Sequence, residues 1–184
     1  MIVVPDYIED SPVLQEAYEL AADAHRNAPR QRNADMRHPV AVGRLLYEGE
    51  YDDEVVAAGL MHELLEDTDV EAGEITARFG ADVGGLVEAM TEDPSIERYE
   101  NRKAEHRARV AAHSSQAAAI YAADKLAKVR ELDGGGEPLS DPQLEHYSQT
   151  LDELSDSHPD LPFLGELDAG LRAVDAEREG AARR

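Results

Sequence analysis

Four polar side chains lie close together on a helix that is otherwise apolar. His62 and Glu63 follow directly on an apolar run, and Glu66 and Asp67 come about one turn later. At about 100° per residue, the four fall within an arc of roughly 140°. Three carboxylates and an imidazole on a core helix repel one another and lose hydration, whereas a divalent cation would neutralise them. A solvated helix end is the alternative, and it accounts poorly for His62 and Glu63 inside the apolar stretch.

Two common metal motifs do not match this cluster. A zincin needs His-Glu-x-x-His, but the residue four places after His62 is Glu66. A di-iron carboxylate bundle uses Glu-x-x-His pairs, and none of the seven histidines has a glutamate three places earlier. The chain also has no cysteine, which excludes disulfides, thiolate zinc sites and cysteine nucleophiles.

A third class of metal protein fits the motifs. His38-Pro39, His62-Glu63 and the distant Asp124 resemble the HD-domain metal-dependent phosphohydrolases, whose pattern is His, then His-Asp, then Asp from separate helices. More narrowly, the chain resembles the hydrolase domain of RelA/SpoT homologues and their small stand-alone relatives. That resemblance covers about residues 10–132 and continues more weakly into His146-Tyr147. Its motifs are Ala21-Ala22-Asp23-Ala24-His25, His38-Pro39, Leu60-Met61-His62-Glu63-Leu64-Leu65-Glu66-Asp67-Thr68, Phe79-Gly80, Leu86-Val87 and Ala123-Asp124-Lys125-Leu126.

The resemblance implies an all-α HD-domain bundle and a nucleotide phosphohydrolase that removes the 3′-pyrophosphate of (p)ppGpp. Imidazole and carboxylate ligands at an open site suit Mn²⁺ among the divalent ions. The ion would polarise a phosphoryl oxygen and make water nucleophilic near neutral pH. The implied metal ligands are His38, His62, Glu63 and Asp124. Glu66 and Asp67 are implied to orient or deprotonate the water.

A phosphorylated substrate also needs cations in this acidic chain. Arginine forks suit phosphate oxygens, and the segment before His38 has a local excess of arginine. The alternative is a solubilising loop. The expected substrate-binding residues are Arg30, Arg32, Lys128 and Tyr147. Lys125 belongs to the same basic region, and pairing with a carboxylate of a neighbouring helix is an equal alternative for it.

The sequence departs from the family pattern at several positions. Glu63 stands where relatives carry aspartate, and Lys128 stands where they carry asparagine. Arg30-Gln31 replaces an Arg-Lys pair. Two alternatives therefore stay open: an HD phosphohydrolase acting on another nucleotide or phosphoester, and a degenerate domain that binds a nucleotide or partner without turnover.

Helices are predicted along almost the whole chain. Ser11-Pro12 is typical of a helix start, and Gly80 is typical of a helix end. A central helix is expected over residues 54–67, whereas residues 95–112 look charged and exposed. His25 is expected in the core, with its ring hydrogen-bonded. Surface or loop positions are expected for three further histidines, His106, His113 and His158.

The length and the pattern of helix signals predict one all-α domain over residues 1–184, with a core at about 10–132 and C-terminal helices at about 141–177. No stretch alternates like a strand. The 40 acidic residues outnumber the 18 basic ones, giving a net charge of −22. This balance argues against nucleic-acid and anionic-membrane partners. The absence of a secretory signal and of cysteine fits a cytoplasmic protein. A small phosphorylated nucleotide is the expected partner.

Overall fold

The computed structural model describes residues 4–28, 36–133 and 135–182, apart from the side chains of 133, 181 and 182. These described stretches contain helices and no strand, which confirms the predicted all-α class. They form two compact units, residues 1–94 and residues 95–184. The expectation of a single domain over residues 1–184 stays a prediction. None of the described helices is both long enough and apolar enough to cross a membrane.

The first unit is organised around one buried helix, α4 (Asp53–Met61). Helices α2 (Pro12–Asn27), α3 (Arg37–Glu48) and α7 (Ala81–Met90) all contact α4, and α6 (Ala72–Phe79) packs against α7. Every residue of α4 from Val55 to Met61 is buried, as expected for a helix that is apolar on most sides. The helices of this unit are α1 (Asp6–Glu9), α2 (Pro12–Asn27), α3 (Arg37–Glu48), α4 (Asp53–Met61), α5 (Leu64–Asp67), α6 (Ala72–Phe79) and α7 (Ala81–Met90).

Local signals place several helix ends where the sequence predicts them. The Ser11 hydroxyl accepts a hydrogen bond from the Leu14 N–H at the start of α2, and Pro12 occupies the first helical position. Gly80 ends α6 with a positive φ of 91°, a conformation that glycine adopts without steric cost. These ends depend on contacts within a few residues, which is why the sequence alone reveals them.

Residues 54–67 do not form one continuous helix, so the prediction of a single central helix there is wrong. Helix α4 ends at Met61, and a separate short helix, α5, begins at Leu64. The His62 ring Nδ1 lies 2.8 Å from the Gly59 carbonyl oxygen. In an unbroken helix that carbonyl would accept the backbone N–H of Glu63, so the imidazole competes with the backbone for it. The polar cluster therefore lies at a helix junction.

Two glycines allow α3 and α4 to approach closely. A Cβ atom on Gly43 would lie 2.9 Å from the Leu60 side chain, and one on Gly59 would collide with Leu46. Leu46 and Leu60 are fully buried, so neither side chain has open space to move into. This close crossing joins the helix that carries His38 to the helix that His62 directly follows.

The described residues of the second unit form four helices: α8 (Tyr99–His113), α9 (Ser115–Asp133), α10 (Asp141–Ser157) and α11 (Leu164–Ala182). Helix α10 contacts α8, α9 and α11. The second unit has an apolar core cluster formed by Val129, Leu139, Leu144, Tyr147, Leu167 and Leu171. The expected exposed segment 95–112 is largely helix α8, which buries Arg107 and Val110. Ser114 caps α9, because its hydroxyl accepts from the Ala117 N–H at 3.1 Å.

Candidate metal centre

His38 and His62 form the centre of the candidate site in the first unit. His38 is the second residue of α3, and His62 directly follows α4. Their ring centroids are 5.4 Å apart, and the ring planes are inclined by 60°. A ring nitrogen of each lies within 4.8 Å of one on the other. Two histidines from different helices thus present nitrogen ligands to one place, as the sequence motifs predict.

The backbone sets the tautomer of His62. Its ring is buried, and a carbonyl oxygen can only accept, so Nδ1 must donate to the Gly59 carbonyl. In the neutral imidazole, Nε2 then carries the lone pair that binds a metal. Histidine ligands in metal sites commonly have their other nitrogen anchored in this way. The donor chemistry of the pair therefore fits a divalent transition-metal ion.

Three carboxylates accompany the histidine pair on the two turns after α4. Glu63 and Asp67 are half-buried, and Glu66 is exposed. One oxygen of Glu63, Oε2, is buried. The Oε1 atom of Glu66 accepts the backbone N–H of Glu92 at 2.6 Å, which connects this carboxylate to the residue following Thr91 at the end of α7. The first unit thus holds imidazole and carboxylate groups of the predicted site on successive helical turns.

His25 is buried on α2, as predicted, but the expected hydrogen bonding is incomplete. Its Nε2 atom has no hydrogen-bond partner among the residues that the structure describes. Burial lowers the pKa of His25, while the Glu63 and Asp67 carboxylates act in the opposite direction. The ring is therefore a core histidine within the electrostatic influence of the carboxylates at the site.

Two of the four predicted substrate-binding residues lie in the described part of the chain. Arg30 and Arg32 lie outside the described residues. On α9, Lys128 is half-buried, and its ammonium lies 3.0 Å from the Glu131 carboxylate. On α10, Tyr147 is buried, and burial raises the pKa of its phenol. Their contact with substrate stays a prediction.

Asp124, the remaining predicted metal ligand, lies on α9 in the second unit. Its side chain is 18% exposed, and its Oδ2 atom is 2.5 Å from the ammonium of the adjacent Lys125. The alternative that Lys125 pairs with a carboxylate of a neighbouring helix is therefore wrong. Burial alone would lower the pKa of Lys125, but the Asp124 charge beside it raises that pKa above its ordinary value.

A buried polar network in the second unit is absent from the sequence-based prediction. The Arg107 guanidinium donates to His146 Nδ1 at 2.9 Å and to Gln149 Oε1 at 2.7 Å. His146 Nε2 lies 3.4 Å from the Tyr121 hydroxyl. The available sequence signal was the spacing of His106 and Val110, which indicates that one face of α8 is buried, because residues four apart share a helix face.

The three histidines expected at the surface or in loops have different environments. His106 is buried, so that prediction is wrong, and its ring lies edge-on to Tyr121 with centroids 4.9 Å apart. His113 is exposed at the end of α8, as expected. His158 is half-buried where α10 ends, and its Nε2 bonds to the Ala111 carbonyl at 2.9 Å.

The curated proteins similar to this chain include several named as guanosine-3′,5′-bis(diphosphate) 3′-pyrophosphohydrolases. The guanosine-3′,5′-bis(diphosphate) 3′-pyrophosphohydrolase MESH1 of Danio rerio is 40% identical over 131 residues, covering 65% of this chain and 69% of the relative. The MESH1 protein of Xenopus tropicalis is 33% identical over 154 residues, covering 79% and 84% respectively. Both relatives therefore match this chain over most of their own length.

Solved structures show the same fold. One is described as a metazoan ortholog of SpoT that hydrolyses ppGpp, with a TM-score of 0.71, 26% identity, and coverage of 96% of this chain and 98% of that one. Another is lmo0812 from Listeria monocytogenes, with a TM-score of 0.66, 28% identity, and coverage of 74% and 97%. A family model described as HD domain matches residues 17–151, a stretch that includes His38, His62 and Asp124. The motifs, the helical fold and this match agree, and the chain belongs to the HD-domain family.

Proposed function

We propose that this protein is a metal-dependent phosphohydrolase that removes the 3′-pyrophosphate of ppGpp. The observation that carries the proposal is the His38–His62 pair, with ring centroids 5.4 Å apart and the His62 tautomer set by a backbone carbonyl. A metal-dependent phosphohydrolase needs such a cation site, and the relative from Danio rerio that is named as a ppGpp 3′-pyrophosphohydrolase is 40% identical over the matched region.

The proposed ligands are His38, His62, Glu63 and Asp124. The first three lie in the first unit, and Asp124 is assigned through the family motif. This mixture of imidazole and carboxylate ligands suits Mn²⁺, which we propose as the ion. Such an ion supplies positive charge that polarises a phosphoryl oxygen and activates water. Glu63, one methylene longer than the family's aspartate, keeps the carboxylate that this position requires.

Glu66 and Asp67 are the proposed acid–base groups. They lie at the end of α5, four residues after the proposed ligands His62 and Glu63 respectively. The N–H of Glu92 holds one oxygen of Glu66, which limits the orientations of that carboxylate. A carboxylate with a restricted orientation can accept a proton from water in a defined direction.

Substrate binding is assigned to Arg30, Arg32, Lys128 and Tyr147. Guanidinium forks bind phosphate oxygens in pairs and would offset the unfavourable net charge of −22. Lys128 places a further cation on α9, four residues after Asp124. We also propose that residues 1–184 act as one HD domain in the cytoplasm, without nucleic-acid or membrane partners, because an acidic surface repels both.

The test is an assay of the purified chain with ppGpp, with and without Mn²⁺. We expect Mn²⁺-dependent release of pyrophosphate, and we expect Arg30→Ala to raise KM more than it lowers kcat if that contact is uniform binding. His62→Ala and Asp124→Ala should both lose Mn²⁺ binding.

Two outcomes would transfer the assignment to another function. Orthophosphate release from simple nucleotides, with ppGpp left intact, would indicate an HD phosphohydrolase of different substrate. Mn²⁺ binding without turnover of any phosphorylated nucleotide would indicate a degenerate binding domain.

A further inference from the structure

Lys125 is the buried member of the chain's three lysines, all of which lie in described stretches. Its side chain is 8% exposed, and its ammonium contacts Asp124 Oδ2 at 2.5 Å. A buried ammonium is costly unless a counter-charge and a shaped environment compensate for its lost hydration. The position therefore needs an explanation beyond a surface ion pair.

Two aromatic rings lie close to this ammonium. The Lys125 Nζ atom lies 4.2 Å from the centroid of the Tyr121 ring and 5.4 Å from that of Tyr147. Ring faces attract cations, and the attraction is larger where water is excluded. The two rings come from different helices, α9 and α10, so the ammonium is held from two directions.

The ring of Tyr121 is itself held by the buried polar network. Its hydroxyl contacts His146 at 3.4 Å, and His146 accepts from Arg107 at 2.9 Å. Arg107 also lies 3.5 Å from the Glu153 carboxylate. These hydrogen bonds and this ion pair restrict the positions of the side chains that they join. The chain of contacts thus runs from α8 and α10 to the ammonium on α9.

We propose that Lys125 is a positioning residue for Asp124, holding Oδ2 so that Oδ1 is the oxygen presented to the metal ion. This inference rests on the proposed function, in which Asp124 is a ligand. The ammonium acts through Asp124 and has no direct contact with substrate. It also balances the Asp124 charge before an ion binds, which stabilises the carboxylate in its ligand orientation.

Two opposing effects decide what removal of the ammonium does. Its positive charge repels a divalent cation, so loss of that charge would tighten metal binding. Its hydrogen bond orients the ligand, so loss of that bond would weaken metal binding. Removal of groups that orient ligands typically weakens metal affinity by about 10–100-fold. We expect orientation to dominate, because the contacts with the Tyr121 and Tyr147 rings fix the ammonium, and the fixed ammonium restricts the position of Asp124 Oδ2.

The experiment is a calorimetric titration of the full chain with Mn²⁺ alone. Lys125→Met keeps the length of the stem and removes the charge, and it should bind Mn²⁺ about 10–100-fold more weakly than the parent. Arg130→Met is the matched control, since it removes a positive charge from the same helix at the exposed pair with Glu166, and it should bind Mn²⁺ as the parent does. The melting temperature without metal is measured for each protein, because a merely structural role would lower that temperature and leave the Kd of the folded protein unchanged.

Two further variants keep the result interpretable. If Lys125→Met does not fold, Lys125→Gln leaves an amide donor in the pocket and should also weaken Mn²⁺ binding. The chain has no cysteine, so Lys125→Cys introduces a single thiol. Alkylation of the unfolded variant with 2-bromoethylamine, followed by refolding, restores an ammonium at nearly the same position. Recovery of Mn²⁺ affinity after this treatment is the expected result.

His62→Ala in the same titration separates the two proposals. If His62→Ala binds Mn²⁺ as the parent does, or the parent binds none, the metal site and the role of Lys125 are both overturned. If His62→Ala loses Mn²⁺ while Lys125→Met binds it equally or more tightly, only the positioning role is overturned.

Discussion

Replacing His146 with glutamine should reduce the loss of stability that this protein undergoes between about pH 7.5 and pH 5. His146 is 3% exposed on α10. Burial, followed by nearby positive charges of which Lys125 is the strongest, lowers its pKa to about 2. The folded protein therefore keeps this imidazole neutral, whereas the unfolded chain protonates it near pH 6.5. Because the unfolded state binds more protons below that pH, the free energy of unfolding falls as the pH falls from about 6.5 towards 2.

The size of this effect follows from the two pKa values. Between about pH 7.5 and pH 5, proton uptake stabilises the unfolded state by about 2 kcal/mol. The figure hardly depends on the folded pKa while that value stays below about 4. The glutamine of His146→Gln has an amide oxygen that can accept from Arg107 and an amide N–H that can donate to Tyr121, but it does not titrate.

Urea unfolding followed by circular dichroism at both pH values measures the difference. The parent should lose about 2 kcal/mol more than His146→Gln. The pKa of His25 is also lowered by burial, and its contribution cancels because both proteins contain it. His113→Gln, the same substitution at an exposed position, should keep the pH dependence of the parent. Equal losses in the parent and His146→Gln would refute a neutral, buried His146.

Three further variants test the core, a helix cap and the proposed acid–base group. Leu60→Ala, at a fully buried position, should lower the free energy of unfolding by about 2–5 kcal/mol in urea titrations, whereas Val13→Ala at an exposed position should change it by less than about 0.5 kcal/mol. Equal effects would contradict the placement of Leu60. Ser11→Ala should cost about 1 kcal/mol in the same titrations, because it removes the cap on the Leu14 N–H, and an unchanged midpoint would count against that cap. Glu66→Gln should keep Mn²⁺ binding in calorimetry and lose ppGpp turnover, and loss of the metal would instead make Glu66 a ligand.

The sequence by itself determined the features that depend on near neighbours. Ser11 caps α2, Gly80 ends α6, and the apolar residues of α4 form its buried helix. Caps, left-handed glycines and hydrophobic periodicity act over a few residues, so their consequences can be read along the chain. The family motifs likewise predict the metal ligands His38, His62, Glu63 and Asp124 without any coordinates.

Only the tertiary structure decided which polar groups meet and where the central helix breaks. His38 and His62 lie side by side because Gly43 and Gly59 let α3 and α4 cross closely. Helix α4 ends at Met61, where the His62 ring contacts the Gly59 carbonyl, although hydrophobic periodicity predicts a continuous helix.

The partners of buried charges were also beyond the reach of sequence reasoning. Arg107 pairs with His146, which is 39 residues away, and helix packing alone brings them together. Lys125 contacts the carboxylate of the residue beside it, and the rings of Tyr121 and Tyr147 also lie near its ammonium. Burial makes each polar group depend on whichever partner the packed helices bring within reach, and local sequence patterns contain no record of that choice.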